Sequence, residues 1–251
     1  MRRALLLLLC CAPLAWAQSD TRRSGSEFMG ASTRAMQRDD TQNPAMLWVN
    51  NGAALWHAKS ATGQSCAGCH GDAGKSMRGV AARFPAFDKR AGRVLNLGQK
   101  IAQCRVEKAG AEPLPLESDD LLSLESYVAL QSRGMPVAPP LDTATRGAAA
   151  RGLQLFSQRI GQLNLSCAQC HDANWGKRLA GAVIPQGHAA AYPIYRLEWQ
   201  GMGSLQRRLR NCMSGVRAEV PAYGAQELTD LEAYLALRAQ GMTVESPGVR
   251  P

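Results

Sequence analysis

Residues 65–70 read "SCAGCH" and residues 166–171 read "SCAQCH", so the pattern Cys-x-x-Cys-His occurs twice in this chain. Two thiols three residues apart can form thioethers with the two vinyl groups of one porphyrin, and the adjacent histidine then lies beneath the iron. One such motif could also belong to a zinc site or a redox dithiol. Zinc would require more ligands nearby, and two copies are hard to explain by chance. The pattern therefore predicts two covalently bound c-type haems.

Cysteine usage agrees with this prediction. The chain has eight cysteines, of which Cys10 and Cys11 lie in an apolar leader. The remaining six invite three disulfides in an exported protein, but their spacing favours haem attachment. The predicted thioether-forming residues are Cys66, Cys69, Cys167 and Cys170, and the predicted proximal iron ligands are His70 and His171.

The leader, residues 1–17, is typical of a signal peptide. Two arginines precede a leucine-rich run, and Ala15-Trp16-Ala17 has the small-x-small cleavage pattern. The run is far shorter than the roughly 20 residues that span a bilayer. We expect cleavage after Ala17 and export to a bacterial periplasm. The formal charge of +9 favours anionic partners, while no stretch indicates nucleic-acid binding and no other segment is apolar enough for a membrane.

The chain also repeats itself. "NGAALW" at 51–56 precedes the first motif as "RGLQLF" at 151–156 precedes the second, and "YVALQSRGM" at 127–135 matches "YLALRAQGM" at 234–242. Between them, "LGQKIAQC" at 97–104 matches "LQRRLRNC" at 205–212, each ending in a lone cysteine. Similar offsets for all these pairs indicate a duplication with small loop insertions.

The repeat defines the expected domains. Three prolines in "MPVAPPLD", 135–142, interrupt helical periodicity and mark the boundary. We predict an extended N-terminal arm over 18–45, a first haem domain over 46–138 and a second over 139–251. No segment alternates convincingly for a strand, so the predicted fold is mainly α, with two tandem, duplicated cytochrome c-type domains.

The closing segments carry the clearest helical pattern. Apolar residues recur at helical spacing at Leu121, Leu124 and Val128, and again at Leu228, Leu231 and Leu235. Thr229 followed by Glu232 has the spacing of a capping box. We therefore expect a helix at the end of each half, with the second one capped by this pair.

The sixth ligand of each iron is less clear from the residues alone. Candidates are His57, His188, several methionines and the lone Cys104 and Cys212. The lone cysteines occupy matching places, and each shares a helical face with apolar residues, so buried core thiols or an interdomain disulfide are alternatives to iron ligation. Axial identity moves the haem potential over a wide range, so this choice decides function.

At this point the chain resembles the SoxA family, the cytochrome subunit of the SoxAX complex of bacterial thiosulfate oxidation. The resemblance rests on the SCxxCH motifs, the duplicated domain, the lone cysteine of each half, "CMSGVRAE" from Cys212, and the closing "LEAYLALRAQGM". It implies that His70 and Cys104 ligate the first haem iron, and His171 and Cys212 the second. It also implies that Cys212 is the reaction centre and can carry a persulfide.

The resemblance assigns two further residues to the substrate. Arg208, four residues before Cys212, would bind it, and Arg238 of the closing helix would lie near the same iron. The first half has Lys100 and Gln131 at these positions, so both arginines belong to the second half only. A solvated basic face is the alternative, because Arg207 and Arg210 are adjacent.

The implied activity is that of a haem-dependent L-cysteine S-thiosulfotransferase, which joins thiosulfate to a cysteine of a SoxYZ-like carrier. The implied partners are that carrier and a SoxX-like cytochrome c subunit, which would accept the electrons. Two other hypotheses stay open: a thiosulfate dehydrogenase that forms tetrathionate, and a dihaem electron-transfer protein without catalysis.

Overall fold

The computed structural model describes residues 20–251, so the predicted signal peptide, residues 1–17, lies outside the described residues. The fold is mainly helical, as the sequence predicted. Its ten α-helices in the described part of the chain are α1 (Ala31–Arg38), α2 (Met46–His57), α3 (Cys66–His70), α4 (Ala73–Ser76), α5 (Leu97–Ala109), α6 (Asp119–Leu130), α7 (Thr143–Ser157), α8 (Cys167–His171), α9 (Leu205–Gly215) and α10 (Gln226–Arg238). Short 3₁₀ turns occupy Gly25–Phe28 and Ala81–Arg83.

Seven strands of two or three residues accompany these helices. They are β1 (Ala86–Asp88), β2 (Arg93–Leu95), β3 (Arg178–Leu179), β4 (Ala182–Val183), β5 (Ile194–Arg196), β6 (Gly201–Gly203) and β7 (Gly248–Arg250). β1–β2, β3–β4 and β5–β6 are antiparallel pairs, and β7 adds to β5 in parallel. The sequence showed no strands because segments this short carry no alternating pattern.

Each half is built on a crossing of its first and last helices, α2 with α6 and α7 with α10. A glycine stands at each crossing. A Cβ atom on Gly52 would lie 2.1 Å from the carbonyl oxygen of Ser123, and one on Gly152 would lie 2.0 Å from that of Asp230. Only glycine allows backbones to approach this closely, so the two matching glycines fix the two crossings.

The apolar faces predicted for the closing helices form the core of each half. Leu121, Leu124 and Val128 on α6 are buried, as are Leu228, Leu231 and Leu235 on α10. An aromatic pair completes each crossing: ring centroids are 6.0 Å apart for Trp56 and Tyr127, and 5.1 Å apart for Phe156 and Tyr234. The duplication seen in the sequence is therefore repeated in the packing.

The N-terminal segment differs from the extended arm that the sequence suggested, because it contains α1. Its helix packs on the C-terminal strand β7, where the side-chain oxygen of Gln37 accepts a hydrogen bond from the amide of Val249 at 3.0 Å. Farther along, the Asn43 amide donates to the carbonyl of Pro247 at 3.3 Å. The helix is short and polar, and these tertiary contacts stabilise it more than its sequence does.

The expected capping box at Thr229 and Glu232 is wrong. Helix α10 begins at Gln226, so both residues lie inside it. Glu232 is instead buried between the two halves, where its carboxylate accepts hydrogen bonds from Asn96 at 2.8 Å and Gln206 at 3.0 Å. A spacing of three residues fits both a helix start and a helix interior, and only burial distinguishes them.

A second carboxyl lies close to the first. Glu125 occupies the matching position on α6, and both glutamates line a cavity of about 100 Å³ between the halves. Burial, together with the nearby charges of Glu232 and Glu117, raises the pKa of Glu125 to about 8. Burial also raises the pKa of Glu232 to about 7, against the opposing effect of its two hydrogen bonds. The interface is therefore built for at least one protonated carboxyl.

Among residues 20–251, no helix is long and apolar enough to cross a bilayer.

The helix crossing yields a stability prediction. Gly152→Ala would press a methyl group into the backbone of α10, and overpacking of this kind costs about 1–3 kcal/mol. We expect a lower Tm and a lower free energy of unfolding. The control is Gly147→Ala in the same helix, where a Cβ would meet only the flexible end of Arg151 at 3.8 Å. That variant should be as stable as the parent or slightly more stable, and equal losses in both variants would contradict the crossing argument.

The buried carboxyls predict how stability depends on pH. A carboxyl whose folded pKa lies above its unfolded value stabilises the fold fully below the unfolded pKa, and this stability is lost as pH rises through the folded pKa. The free energy of unfolding should therefore fall between about pH 4.5 and pH 8, by roughly 1.4 kcal/mol per pH unit for each proton involved. Glu125→Gln should flatten this decline in denaturant titrations at pH 5 and pH 8. The control is Glu112→Gln, at an exposed site, which should leave the decline in stability unchanged. An unchanged decline in Glu125→Gln would contradict the coupling of the buried carboxyls to folding.

Candidate haem pockets and reaction centre

The two Cys-x-x-Cys-His motifs form the five-residue helices α3 and α8. Each begins at a serine cap: the hydroxyl of Ser65 accepts from the Gly68 amide at 3.0 Å, and that of Ser166 from the Gln169 amide at 3.2 Å. The caps satisfy free amides at the helix starts. No disulfide joins any two of the six described cysteines, so Cys104 and Cys212 do not form an interdomain disulfide.

In the first half, helix α5 faces the attachment helix. Leu97 and Ile101 on α5 belong to the apolar cluster that contains Cys66 and Ala67. Cys104 lies one turn beyond Ile101 on the same side of the helix. The lone cysteine is therefore directed toward the space that the attachment helix borders.

The second half repeats this arrangement with α9. Leu205, Leu209 and Met213 cluster with Cys167 and Ala168 of α8. Cys212 follows Leu209 by one turn, next to Met213, and is half-buried. Both predicted distal cysteines thus lie on helix faces that oppose the attachment helices.

The pKa shifts of the attachment cysteines agree with lone cysteines that lie close to them. Burial raises the pKa of Cys167 to about 11, and the nearby Cys212 and Cys170 contribute to the rise. Burial likewise raises the pKa of Cys66; Arg105 opposes that rise, and Cys104 adds to it. In each half the lone thiol is close enough to an attachment cysteine for their charges to interact.

The two proximal histidines have different surroundings. His171 is half-buried, and its Nδ1 lies 2.8 Å from the carbonyl oxygen of Pro185. A proton on Nδ1 donates to that carbonyl and leaves Nε2 available to a metal. Burial lowers the pKa of His171, which favours the neutral, ligating form. His70 is exposed, and its ring lies 5.8 Å from that of Trp56.

These residues fit a c-type haem in each half. Apolar side chains around the attachment helices, including Ile101 and Leu209, are only partly buried and would be covered by a porphyrin. The Nε atom of Arg105 is buried without a hydrogen-bond partner in the described part of the chain. A propionate carboxylate is the kind of acceptor that this guanidinium requires.

Arg208 differs from the arginines beside it. Arg207 donates to the carbonyl of Met202 at 2.9 Å and lies 4.4 Å from the Trp199 ring centroid. Arg210 donates to the carbonyl of Pro221 and lies over the Tyr223 ring. The half-buried Arg208 guanidinium forms no hydrogen bond or ion pair within residues 20–251, although it shares a helix face with Cys212. It is therefore available to an anion.

The equivalent cation in the first half is already paired. The Nζ atom of Lys100 lies 2.6 Å from the carboxylate of Asp88, which is largely buried. This ion pair holds the pKa of Asp88 at about 2 and offsets the lysine charge. Of these two matched positions, within residues 20–251, only Arg208 holds a cation without a partner.

Arg238 lies in a different environment from Arg208. Its guanidinium forms an ion pair with Asp172, the residue after His171, and donates to the carbonyl of Gln186 at 3.1 Å. It also lies 5.3 Å from the centroid of the Phe156 ring. The structure thus brings Arg238 to the His171 segment, while Arg208 and Cys212 are together on α9.

Three other candidate distal ligands, His57, His188 and Met242, lie outside α5 and α9. His57 is exposed at the end of α2. Met242 packs in a cluster with Val137 and Val244, where the segments that follow α6 and α10 meet. His188 is half-buried, and burial together with the charges of Arg238 and Arg22 lowers its pKa to about 4.

Two residues of the second pocket were not found from the sequence. Pro185 contributes a backbone carbonyl, so no side-chain signal marks it. Tyr192 lines the interdomain cavity, and burial raises the pKa of its hydroxyl; Arg208 and Cys212 are among the groups that influence it. Its place beside α9 depends on the fold of β5 and β6, which no local pattern indicates.

Comparison with known proteins agrees with this geometry. The cytochrome c domain of the SoxA/TsdA family matches the chain twice, over residues 51–137 and 151–244. The L-cysteine S-thiosulfotransferase subunit SoxA of Pseudaminobacter salicylatoxidans is 40% identical over 233 residues, which cover 92% of this chain and 82% of that protein. The subunit of the same name from Paracoccus pantotrophus is 36% identical over 92% of this chain and 80% of its own length.

A solved structure shows the same fold. The crystal structure of SoxXA from P. pantotrophus superimposes with a TM-score of 0.88 and 35% sequence identity, covering 92% of this chain and 87% of the matched chain. Each of the two domain matches includes one attachment motif and one lone cysteine. This chain therefore belongs to the SoxA family of c-type cytochromes.

Proposed function

We propose that this chain is the dihaem SoxA-type subunit of a periplasmic L-cysteine S-thiosulfotransferase. Relatives at up to 40% identity carry that enzyme name, and each half has a complete attachment motif. The observation that carries the proposal is the unpaired Arg208 guanidinium on the same helix face as Cys212. A role shared by both haem pockets does not account for this arginine, because the matched Lys100 of the first half is paired with Asp88.

The residues proposed to hold the two haems follow from the repeat. Cys66 and Cys69 attach the first haem, and Cys167 and Cys170 attach the second. His70 with Cys104, and His171 with Cys212, are the proposed axial pairs. A c-type haem accepts one electron at a time, and thiolate ligation favours its ferric state, so both potentials should be low.

The proposed chemistry takes place at Cys212. The Cys212 thiolate and the terminal sulfur of thiosulfate form a sulfur–sulfur bond, which releases two electrons. A thiolate on a SoxYZ-like carrier then attacks that thiosulfate sulfur, takes over the S-thiosulfonate group and frees the Cys212 thiolate. The carrier thiol loses one proton to solvent in the process, so atoms and charges balance.

Arg208 is proposed to orient the anion for this step. A planar guanidinium can donate two parallel hydrogen bonds to a sulfur oxyanion. Its position one turn before Cys212 places the anion near the thiol, and its half-buried setting strengthens the attraction. Arg238 donates from Nη2 to Asp172 and to the Gln186 carbonyl, so it is proposed to have a different role.

A SoxX-like cytochrome c subunit is the proposed electron acceptor. The superimposed P. pantotrophus structure is a SoxXA complex, so a related heterodimer is proposed for this chain. The periplasm is the proposed compartment because haem attachment and the N-terminal leader both point to export.

Replacing Cys212 tests the reaction centre. We expect Cys212→Met to keep both haems covalently attached, which a mass measurement would show, and to abolish coupling of thiosulfate to the carrier, because methionine cannot accept a second sulfur. The control is the neighbouring Met213→Leu, a volume-conserving change that should retain turnover. Coupling by Cys212→Met, or tetrathionate formation by the parent chain without any carrier, would contradict the proposal.

Replacing Arg208 tests substrate recognition. Hydrogen bonds to a charged group contribute about 1.5–3 kcal/mol, so Arg208→Gln should raise the KM for thiosulfate by roughly 10- to 100-fold. The matched control is Lys100→Gln at the equivalent position of the first half, which breaks only a local ion pair and should leave the KM unchanged. Steady-state kinetics with the carrier protein and a cytochrome acceptor would measure both. An unchanged KM in Arg208→Gln would show that this arginine belongs to a solvated face.

A further inference from the structure

The backbone of residues 185–187 wraps around the imidazole of His171. Besides the 2.8 Å contact between the Pro185 carbonyl and Nδ1, a Cβ on Gly187 would lie 3.1–3.3 Å from ring atoms of His171. Gly187 also has a φ of +75°, a backbone conformation that residues other than glycine rarely adopt. This segment, residues 185–187, is called the proximal loop below. Its position decides where the His171 ring points.

Arg238 binds both chain segments that flank this imidazole. Its Nη2 donates to the Gln186 carbonyl in the proximal loop at 3.1 Å, and the same atom pairs with Asp172. The ring of Phe156 is near both groups, 5.3 Å from the guanidinium and 6.5 Å from the His171 ring. One guanidinium therefore ties the proximal loop to the residue that follows His171.

The N-terminal segment holds the same loop from its other side. The Arg23 amide donates to the side-chain oxygen of the buried Gln186 at 2.6 Å, and the Gln186 side chain donates to the Thr21 carbonyl at 3.3 Å. The Arg22 guanidinium donates to the Gln240 carbonyl at 2.8 Å, just after α10. The proximal loop is thus fixed between the N-terminal segment and the closing helix.

The first half has none of these contacts. Gln131 occupies the position of Arg238, and its side chain donates to the carbonyl of Tyr127 in its own helix at 2.9 Å. Within the described residues, no hydrogen bond holds the exposed His70 ring. The restraint on the proximal histidine is a property of the second half alone, the half in which Cys212 and Arg208 lie.

We infer that Arg238 is a positioning residue for His171, which acts through the proximal loop rather than by binding substrate. This inference rests on the proposed function, and it gives the two arginines of the second half different roles. Arg208 holds the anion beside Cys212, and Arg238 keeps the Pro185 carbonyl in place to accept from Nδ1. A histidine held as a hydrogen-bond donor is a more basic ligand, which lowers the potential of a bound iron.

The test uses two variants of the haem-loaded heterodimer. Arg238→Gln introduces the residue that the first half has at the matching position. Arg238→Lys keeps the positive charge but cannot donate two parallel hydrogen bonds from a planar group. Gln131→Ala is the matched control. Redox titration followed by EPR, without thiosulfate or carrier, should show the second haem moving to a higher potential in Arg238→Gln, with a smaller move in Arg238→Lys. Gln131→Ala should leave that potential unchanged.

Kinetics separate positioning from substrate binding. Loss of a partner of a metal-ligating histidine typically lowers activity 10- to 100-fold, so kcat of Arg238→Gln should fall by about that factor while the KM for thiosulfate stays within about twofold. A higher KM with unchanged kcat and unchanged potential would overturn the inference and return Arg238 to the substrate. Because the potential is measured without substrate, the redox result tests the positioning role of Arg238 even if the proposed thiosulfotransferase activity is wrong.

Discussion

Backbone contact between the first and last helices of each half is the constraint on which both proposed haem pockets depend. Gly52 and Gly152 let a helix pass against the carbonyls of Ser123 and Asp230 with no side chain between them. This contact sets how far the attachment helix, which follows the first helix of each half, lies from the closing helix. The helix that carries the lone cysteine must then pack across the remaining space, and its apolar face directs that cysteine inward.

The two halves use this shared scaffold for different electrostatics. The first half pairs its cation, Lys100, with Asp88, and leaves His70 exposed. The second half leaves Arg208 unpaired and surrounds His171 with a restrained loop. A duplicated helical frame tolerates such differences because helix crossings are determined by apolar faces and glycines, while the charged residues lie around the pockets. Under the proposed function, one half is the reaction centre while the other keeps a simpler haem site.

The contact between the halves combines apolar packing with a buried polar cluster. Glu232 accepts hydrogen bonds from Asn96 of the first half and Gln206 of the second. Glu125 lines the same cavity, where its raised pKa of about 8 favours the protonated carboxyl at neutral pH. Buried polar groups stabilise a structure only when they are satisfied, and they then favour one relative placement of the parts they join. This interface holds α5 and α9, the helices of the two lone cysteines, in one arrangement.

The sequence by itself determined the helical class, the duplication and the predicted haem attachment residues, because these depend on spacing along the chain. The repeat also indicated Cys104 and Cys212 as matching lone cysteines, and the resemblance to the SoxA family implied a role for Arg208. The tertiary structure alone decided that Arg207 and Arg210 are engaged, that Arg208 is unpaired, and that Arg238 contacts Asp172 and the loop beside His171. It also turned Glu232 from an expected cap into an interface carboxyl. The hydrogen bonds, ion pairs and burial of these side chains depend on residues that are distant in sequence, so no local sequence pattern encodes them.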